Sequence, residues 1–164
     1  MKQWLEAVSV GLGESRTAAK TGHMSVRGLG SCVAVVLHDP EIKMGGIAHV
    51  VLPSHTLARD QSMPAKFADT AVPHLLRELR DRGARQASLV ARLIGGASMF
   101  APLTPGSGVH MGERNVAACR QAVASAGVPI VGEDVGGQAG RSLLFDVLAG
   151  TVTVRSLGQE DRHV

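Results

Sequence analysis

Aromatic residues are nearly missing from this chain. Trp4, Phe67, Phe100 and Phe145 are the full set, 2% of 164 residues, and there is no tyrosine. Proteins that grip single-stranded nucleic acid stack bases on aromatics beside basic groups, so that class is excluded and the core must be aliphatic. Long apolar runs are missing too. Val33 to Leu37 and Ile47 to Leu52 are strand-sized, far short of the roughly 20 residues that span a bilayer. The opening MKQWLEAVSV lacks the continuous apolar stretch of a secretory signal. No membrane insertion and a cytoplasmic location are expected. Only two cysteines occur, Cys32 and Cys119, and in a reducing cytosol they stay free thiols. No CxxC, HxxxH or HExxH is present, so neither a metal nor a cofactor is expected.

Nor does one sign of charge dominate, the net charge being +3. Arg77, Arg80, Arg82 and Arg85 interleave with Glu78 and Asp81, the pattern of a solvated helix face rather than a phosphate-binding stripe. No nucleic-acid partner is expected. The run GESRTAAKT (13–21) has Ala19 where a phosphate loop needs glycine before its lysine.

What is present reads as one domain over 1–164, with a polar tail that frays from about Gly158. Residues 11–21 read as a loop or irregular edge. Val33 to Leu37 and Ile47 to Leu52 read as adjacent strands, with Asp39-Pro40 and Gly45-Gly46 as turn chemistry between them. Pro64 to Arg82 has a helical apolar period that Pro73 should kink or divide. A strand at 88–94, a loop at 101–111, a helix at 112–126 and strands at 128–131, 141–147 and 151–155 follow. Six strands and two helices in this mixed order predict an α+β (mixed α/β) layered sandwich.

The stretch RGLGSCVAVVLHDP (27–40) puts Cys32 between a glycine turn and an apolar run. Gly28 and Gly30 permit positive φ and close chain approach. Such a turn presents the sulfur together with backbone N–H groups at Gly30 and Ser31 that can form an oxyanion hole. Equally, a free cysteine is among the most buried residue types. A nucleophilic thiol needs a base, and His49 stands alone as a polar ring inside the apolar run GGIAHVVLP. If its strand pairs with that of Cys32, the two side chains meet; otherwise His49 is a core histidine bonded to backbone. His38 reads as a turn residue, His55 as a rim residue, and His23, His74, His110 and His163 as loop or surface. Phe67, Phe100 and Cys119 read as core or groove lining.

The combination GLGSCVAVVLHDP and GGIAHVVLP, then KFADTAVPHLL, IGGASMF, MGERN and DVGGQAGRSLLFDVLAGTVTVR, resembles the CheD family of chemoreceptor glutamine deamidases. These blocks fall in family order over about residues 11–156. The resemblance implies a cysteine-hydrolase fold similar to the catalytic domains of deamidating toxins. It implies a protein-glutamine glutaminase with Cys32 as nucleophile and His49 as base, acting on chemoreceptor cytoplasmic domains. It implies a CheC-type phosphatase as a further partner, and hence, as an alternative, an adaptor that binds receptor or phosphatase with little catalysis. The family carries a hydroxyl residue as third catalytic member; here that position holds Val26, and the neighbouring Ser25 is the candidate replacement.

Overall fold

Every residue of Val33–Asp39 is buried, and so is every residue of Met44–Val50. Strands covered on both faces are built mostly of apolar or small residues, which these two runs supply except at His38, Asp39 and His49. They form the centre of one of two five-stranded sheets. The structure is a computed structural model and describes residues 1–99 and 110–164. Its elements are α1 (Lys2–Glu6), β1 (Val8–Ser9), β2 (Ser15–Ala19), β3 (His23–Leu29), β4 (Val33–Asp39), β5 (Met44–Val50), α2 (Ala68–Asp81), β6 (Val90–Gly95), α3 (Met111–Ser125), β7 (Ile130–Val135), β8 (Arg141–Asp146), β9 (Thr151–Arg155) and β10 (Arg162–His163). One sheet runs β2-β5-β4-β6-β7 and the other β1-β3-β8-β9-β10. This is the expected α+β layered sandwich. No helix among the described residues is long and apolar enough to cross a membrane.

The period-2 alternation of β4 and β5 sorts their side chains into two cores. Val33, Val35, Leu37, Ala48 and Val50 face α2 and α3, meeting Val72, Leu75, Leu79, Val116, Cys119 and Val123. Ala34, Val36 and Ile47 face the other sheet, meeting Met24, Val26, Leu143, Phe145, Val152 and Val154. Cys32 extends the second set and packs against this inter-sheet core.

Several expectations are corrected. Gly45 and Gly46 lie inside β5 and make no turn: a Cβ at Gly45 would stand 2.7 Å from the Phe145 ring, and one at Gly46 2.8 Å from Leu75 Cδ1. Both are glycine because the neighbouring layers press on them. Pro73 does not divide α2; it lies near the helix start and removes only the bond to the Asp69 carbonyl. His38 is a buried β4 residue, its Nε2 donating to Val147 O at 2.9 Å, with the Phe145 ring edge-on beside it. The edge segment contains a regular strand, β2, paired along β5. The tail from 158 is not frayed: β10 pairs with β9, and Arg162 bonds Asp134 at 2.8 Å. Strand β3, unforeseen, lies between β1 and β8 and is broken by a bulge between Val26 and Leu29, where Gly28 takes φ 67. The predicted loop at 101–111 and Phe100 fall outside the described residues, except for His110 and Met111 at the start of α3.

Candidate active site

Cys32 is the last residue before β4, and β4 and β5 are antiparallel with Val33 opposite Val50 and Ala34 opposite His49. Cys32 and His49 therefore share one face of the sheet as diagonal cross-strand neighbours, a relation of about 7–8 Å that long side chains can bridge. That face looks between the two sheets, at the end of the inter-sheet core. The expected pairing of the two strands thus puts the two residues on one face, and His49 Nε2 makes no hydrogen bond to the Cys32 sulfur.

His49 is held from the opposite sheet. Its Nδ1 lies 3.1 Å from Val10 O, and Val10, just past β1, donates its own N–H to Ser25 O at 2.9 Å. A carbonyl oxygen only accepts, so Nδ1 carries the proton and Nε2 the lone pair. That Nε2 is buried and has no hydrogen-bond partner among the described residues. Around the ring, His49 O accepts from Gly13 N and His49 N donates to Glu14 O, both at 2.9 Å. Burial lowers the imidazole pKa below its ordinary value, against the opposing pulls of the Val10 carbonyl and the Glu14 charge. Burial also raises the Cys32 thiol pKa, against the pull of its own backbone N–H. Both shifts favour a neutral thiol and a neutral imidazole in the resting site.

Ser25 is not brought to the pair. Its β3 neighbours Met24 and Val26 point into the inter-sheet core, so the Ser25 side chain points to the other face. The register with β8 is regular through Ser25 and Val26, and the bulge follows Val26. Neither ring nitrogen of His49 bonds its hydroxyl.

The turn before Cys32 is tightly built. Gly96 N donates to Cys32 O and Ala97 N to Gly30 O, both at 2.8 Å. Gly95, at φ 114, approaches the Cys32 carbonyl so closely that a Cβ would collide with it. Gly30 needs no positive φ; it is small because Met99 Sδ would stand 3.0 Å from a Cβ. Ser31 is exposed. The N–H groups of Ser31 and Cys32 donate to no oxygen of another described residue.

Two contributors escape sequence reasoning. Val10 acts through its main chain, which leaves no side-chain signal. Asn115 is fully buried in α3, and its Nδ2 donates to Ser31 O and to Val51 O, both at 2.9 Å. Its signal was readable: Asn115 is a polar residue on the stripe of Gly112, Val116, Cys119 and Val123 that α3 buries. His55 stands apart, bonded to Asp69 at 2.7 Å, and Ser54 also bonds Asp69 rather than the histidine. Asp69 and Ser54 border a cleft of about 550 Å³ between α2 and α3, lined by neither Cys32 nor His49.

With that geometry in view, residues 51–156 match the family model described as CheD chemotactic sensory transduction. The chain is 38% identical to a protein named probable chemoreceptor glutamine deamidase CheD of Desulforamulus reducens, over 92% of this chain and 91% of that protein. It is 41% identical to the similarly named protein of Moorella thermoacetica, covering 94% and 93%. Among solved structures, the crystal structure of Bacillus licheniformis hypothetical protein YfiH has a TM-score of 0.44 at 17% identity, covering 79% of this chain and 58% of that one.

Proposed function

Because the chain belongs to the CheD family, we propose that it deamidates glutamine side chains of chemoreceptor cytoplasmic domains, with Cys32 as nucleophile and His49 as base, and that residues 1–164 act as one domain in the cytoplasm. The observation that carries the reading is the state of His49: its Nδ1 is fixed by Val10 O and its Nε2 is left with a free lone pair, on the face it shares with Cys32.

In this mechanism the Cys32 thiol gives its proton to Nε2 as Sγ bonds to the carboxamide carbon. The carbonyl π electrons move onto oxygen, and the Ser31 and Cys32 N–H groups stabilise that oxyanion. The oxyanion collapses, the C–N bond breaks, and the imidazolium gives its proton to the departing ammonia. Water then attacks the thioester, losing a proton to Nε2. The C–S bond breaks and the thiol is restored, leaving glutamate. The orienting role goes to the Val10 carbonyl, not to Ser25. A carbonyl fixes the tautomer as a hydroxyl acceptor would, and it partly offsets the charge on the imidazolium.

A second reading is an adaptor that binds the receptor or a CheC-type phosphatase. It is favoured by the neutral resting pair and by Val26 standing where the family has a hydroxyl. One experiment separates the two: mass spectrometry of receptor cytoplasmic domains incubated with the wild type and with Cys32→Ala. Amide-to-acid conversion seen only with the wild type supports the deamidase. No conversion on several folded receptors, with binding retained, supports the adaptor.

A further inference from the structure

Asn115 hydrogen-bonds neither sulfur nor imidazole, yet both of its donors are spent on the two chain segments that carry them. Its Nδ2 bonds the carbonyl one residue before Cys32 and the carbonyl two residues after His49. The ladder between β4 and β5 ends at Val33 and Val50, and past that pair, among the described residues, Asn115 is the group that hydrogen-bonds both strand ends at once. The amide orientation is fixed by chemistry: turned over, its oxygen would face two carbonyl oxygens. The remaining atom, Oδ1, is buried without a partner among the described residues. Leaving such an acceptor unmade costs about 1–3 kcal/mol, an expense that packing alone does not require at this position.

The clamp has a directional consequence. A trans peptide holds its C=O and N–H antiparallel in one plane, and this chain has no cis peptide bonds among its described residues. Asn115 draws the Ser31 carbonyl toward α3. The N–H of the same peptide unit, which belongs to Cys32, must then point the opposite way, away from the helix layer. There it meets no oxygen of another described residue.

We propose that Asn115 is a positioning residue that sets the oxyanion donor: by holding the Ser31 carbonyl it aims the Cys32 N–H at the place where negative charge develops. This rests on the cysteine-hydrolase reading above, and it is tested by chemistry that does not require the receptor. Acylation of Cys32 by p-nitrophenyl acetate forms the thioester and expels p-nitrophenolate through a tetrahedral oxyanion. Alkylation by iodoacetamide displaces iodide at a saturated carbon and forms none. Asn115→Asp keeps the shape but removes both donors, and the ratio of the two rates is the readout; the uncharged Asn115→Ser separates loss of the donors from the effect of an added negative charge on the oxyanion. Losing an oxyanion donor costs about 10²–10³-fold. The expected result is an acylation rate down about 100-fold against alkylation within about threefold. Asn115→Ser is the second variant, and thermal melts establish that each is folded. An unchanged ratio in a folded variant overturns the proposal, as does a parallel fall of both rates in the uncharged Ser variant, which would place Asn115 in thiol activation or packing. If the ratio falls but wild-type protein converts no receptor glutamine, the deamidase reading fails while this one stands.

Discussion

Replacing Gly112 with alanine sets two known effects against each other at one atom. Gly112 begins α3 against the backbone of the Gly96-Ala97 turn. A Cβ there would stand 2.5 Å from Ala97 O and 2.6 Å from Gly96 O, whereas real Cβ contacts keep to 3.0 Å or more. Both obstacles are backbone and cannot rotate aside, so the helix start must retreat by about 0.5 Å. Helix propensity favours alanine by at most about 1 kcal/mol, and by less in a first turn. Overpacking costs about 1–3 kcal/mol. Sterics win, with a net loss of about 1–2 kcal/mol, or about 3–6 °C in Tm for a chain of this size. The same retreat carries Asn115, one turn further on, away from its partners. Bonds of 2.9 Å to Ser31 O and Val51 O lengthen toward about 3.4 Å, beyond good geometry. Cys32 acylation should fall by about tenfold, since sub-ångström misplacement of catalytic groups is costly. Differential scanning calorimetry and the p-nitrophenyl acetate burst measure both. A raised Tm with unchanged acylation would refute the reasoning, because propensity would then have prevailed and the helix start would not govern the site.

Val26→Thr restores a hydroxyl on the inter-sheet face, but the Val10 carbonyl already holds His49 Nδ1; the variant should lose about 1–2 kcal/mol to a buried hydroxyl and gain no turnover. A tenfold rise in deamidation would show that the carbonyl is an inadequate orienter. Iodoacetamide should modify half-buried Cys32 in the folded protein and spare Cys119, which is fully buried with its thiol pKa pushed up to about 12; comparable native labelling of both, read by peptide mass spectrometry, would contradict the packing of α3. Burial lowers the pKa values of both His38 and His49, so the unfolded chain binds more protons than the folded one below about pH 6.5. Their contribution is fully present above that pH and declines as pH falls toward 5. Urea midpoints at pH 7.5, 6.5 and 5.5 should decrease in that order, and a flat or rising series would count against it.

The parts of this molecule legible in the sequence are those written in side-chain periodicity. The α2 stripe of Ala71, Val72, Leu75, Leu76 and Leu79 and the apolar runs of β4 and β5 lie where their patterns place them. The face-sharing of Cys32 and His49 follows once those two runs pair. What escaped reading is written in contacts between layers. Gly45 and Gly46 carry turn chemistry, but the Phe145 ring and Leu75 demand small residues inside a strand. His38 follows an apolar run and precedes Asp-Pro, yet a carbonyl 109 residues away satisfies its ring. β3 is obscured by its own bulge, because Arg27-Gly28 interrupts the alternation that would have announced it.

The site also has an order of assembly. Cys32 and His49 come to one face of a hairpin whose strands are neighbours in sequence, a pairing that closes early because its loop is short. The carbonyl that fixes the imidazole lies 39 residues from it, and the amide that clamps Ser31 lies 84 residues from it. Those contacts form only when the second sheet and α3 dock. A nascent chain can thus carry the thiol and imidazole on one hairpin face before the Val10 and Asn115 contacts exist, so the arrangement around them belongs to the finished tertiary structure rather than to the hairpin that bears the two residues.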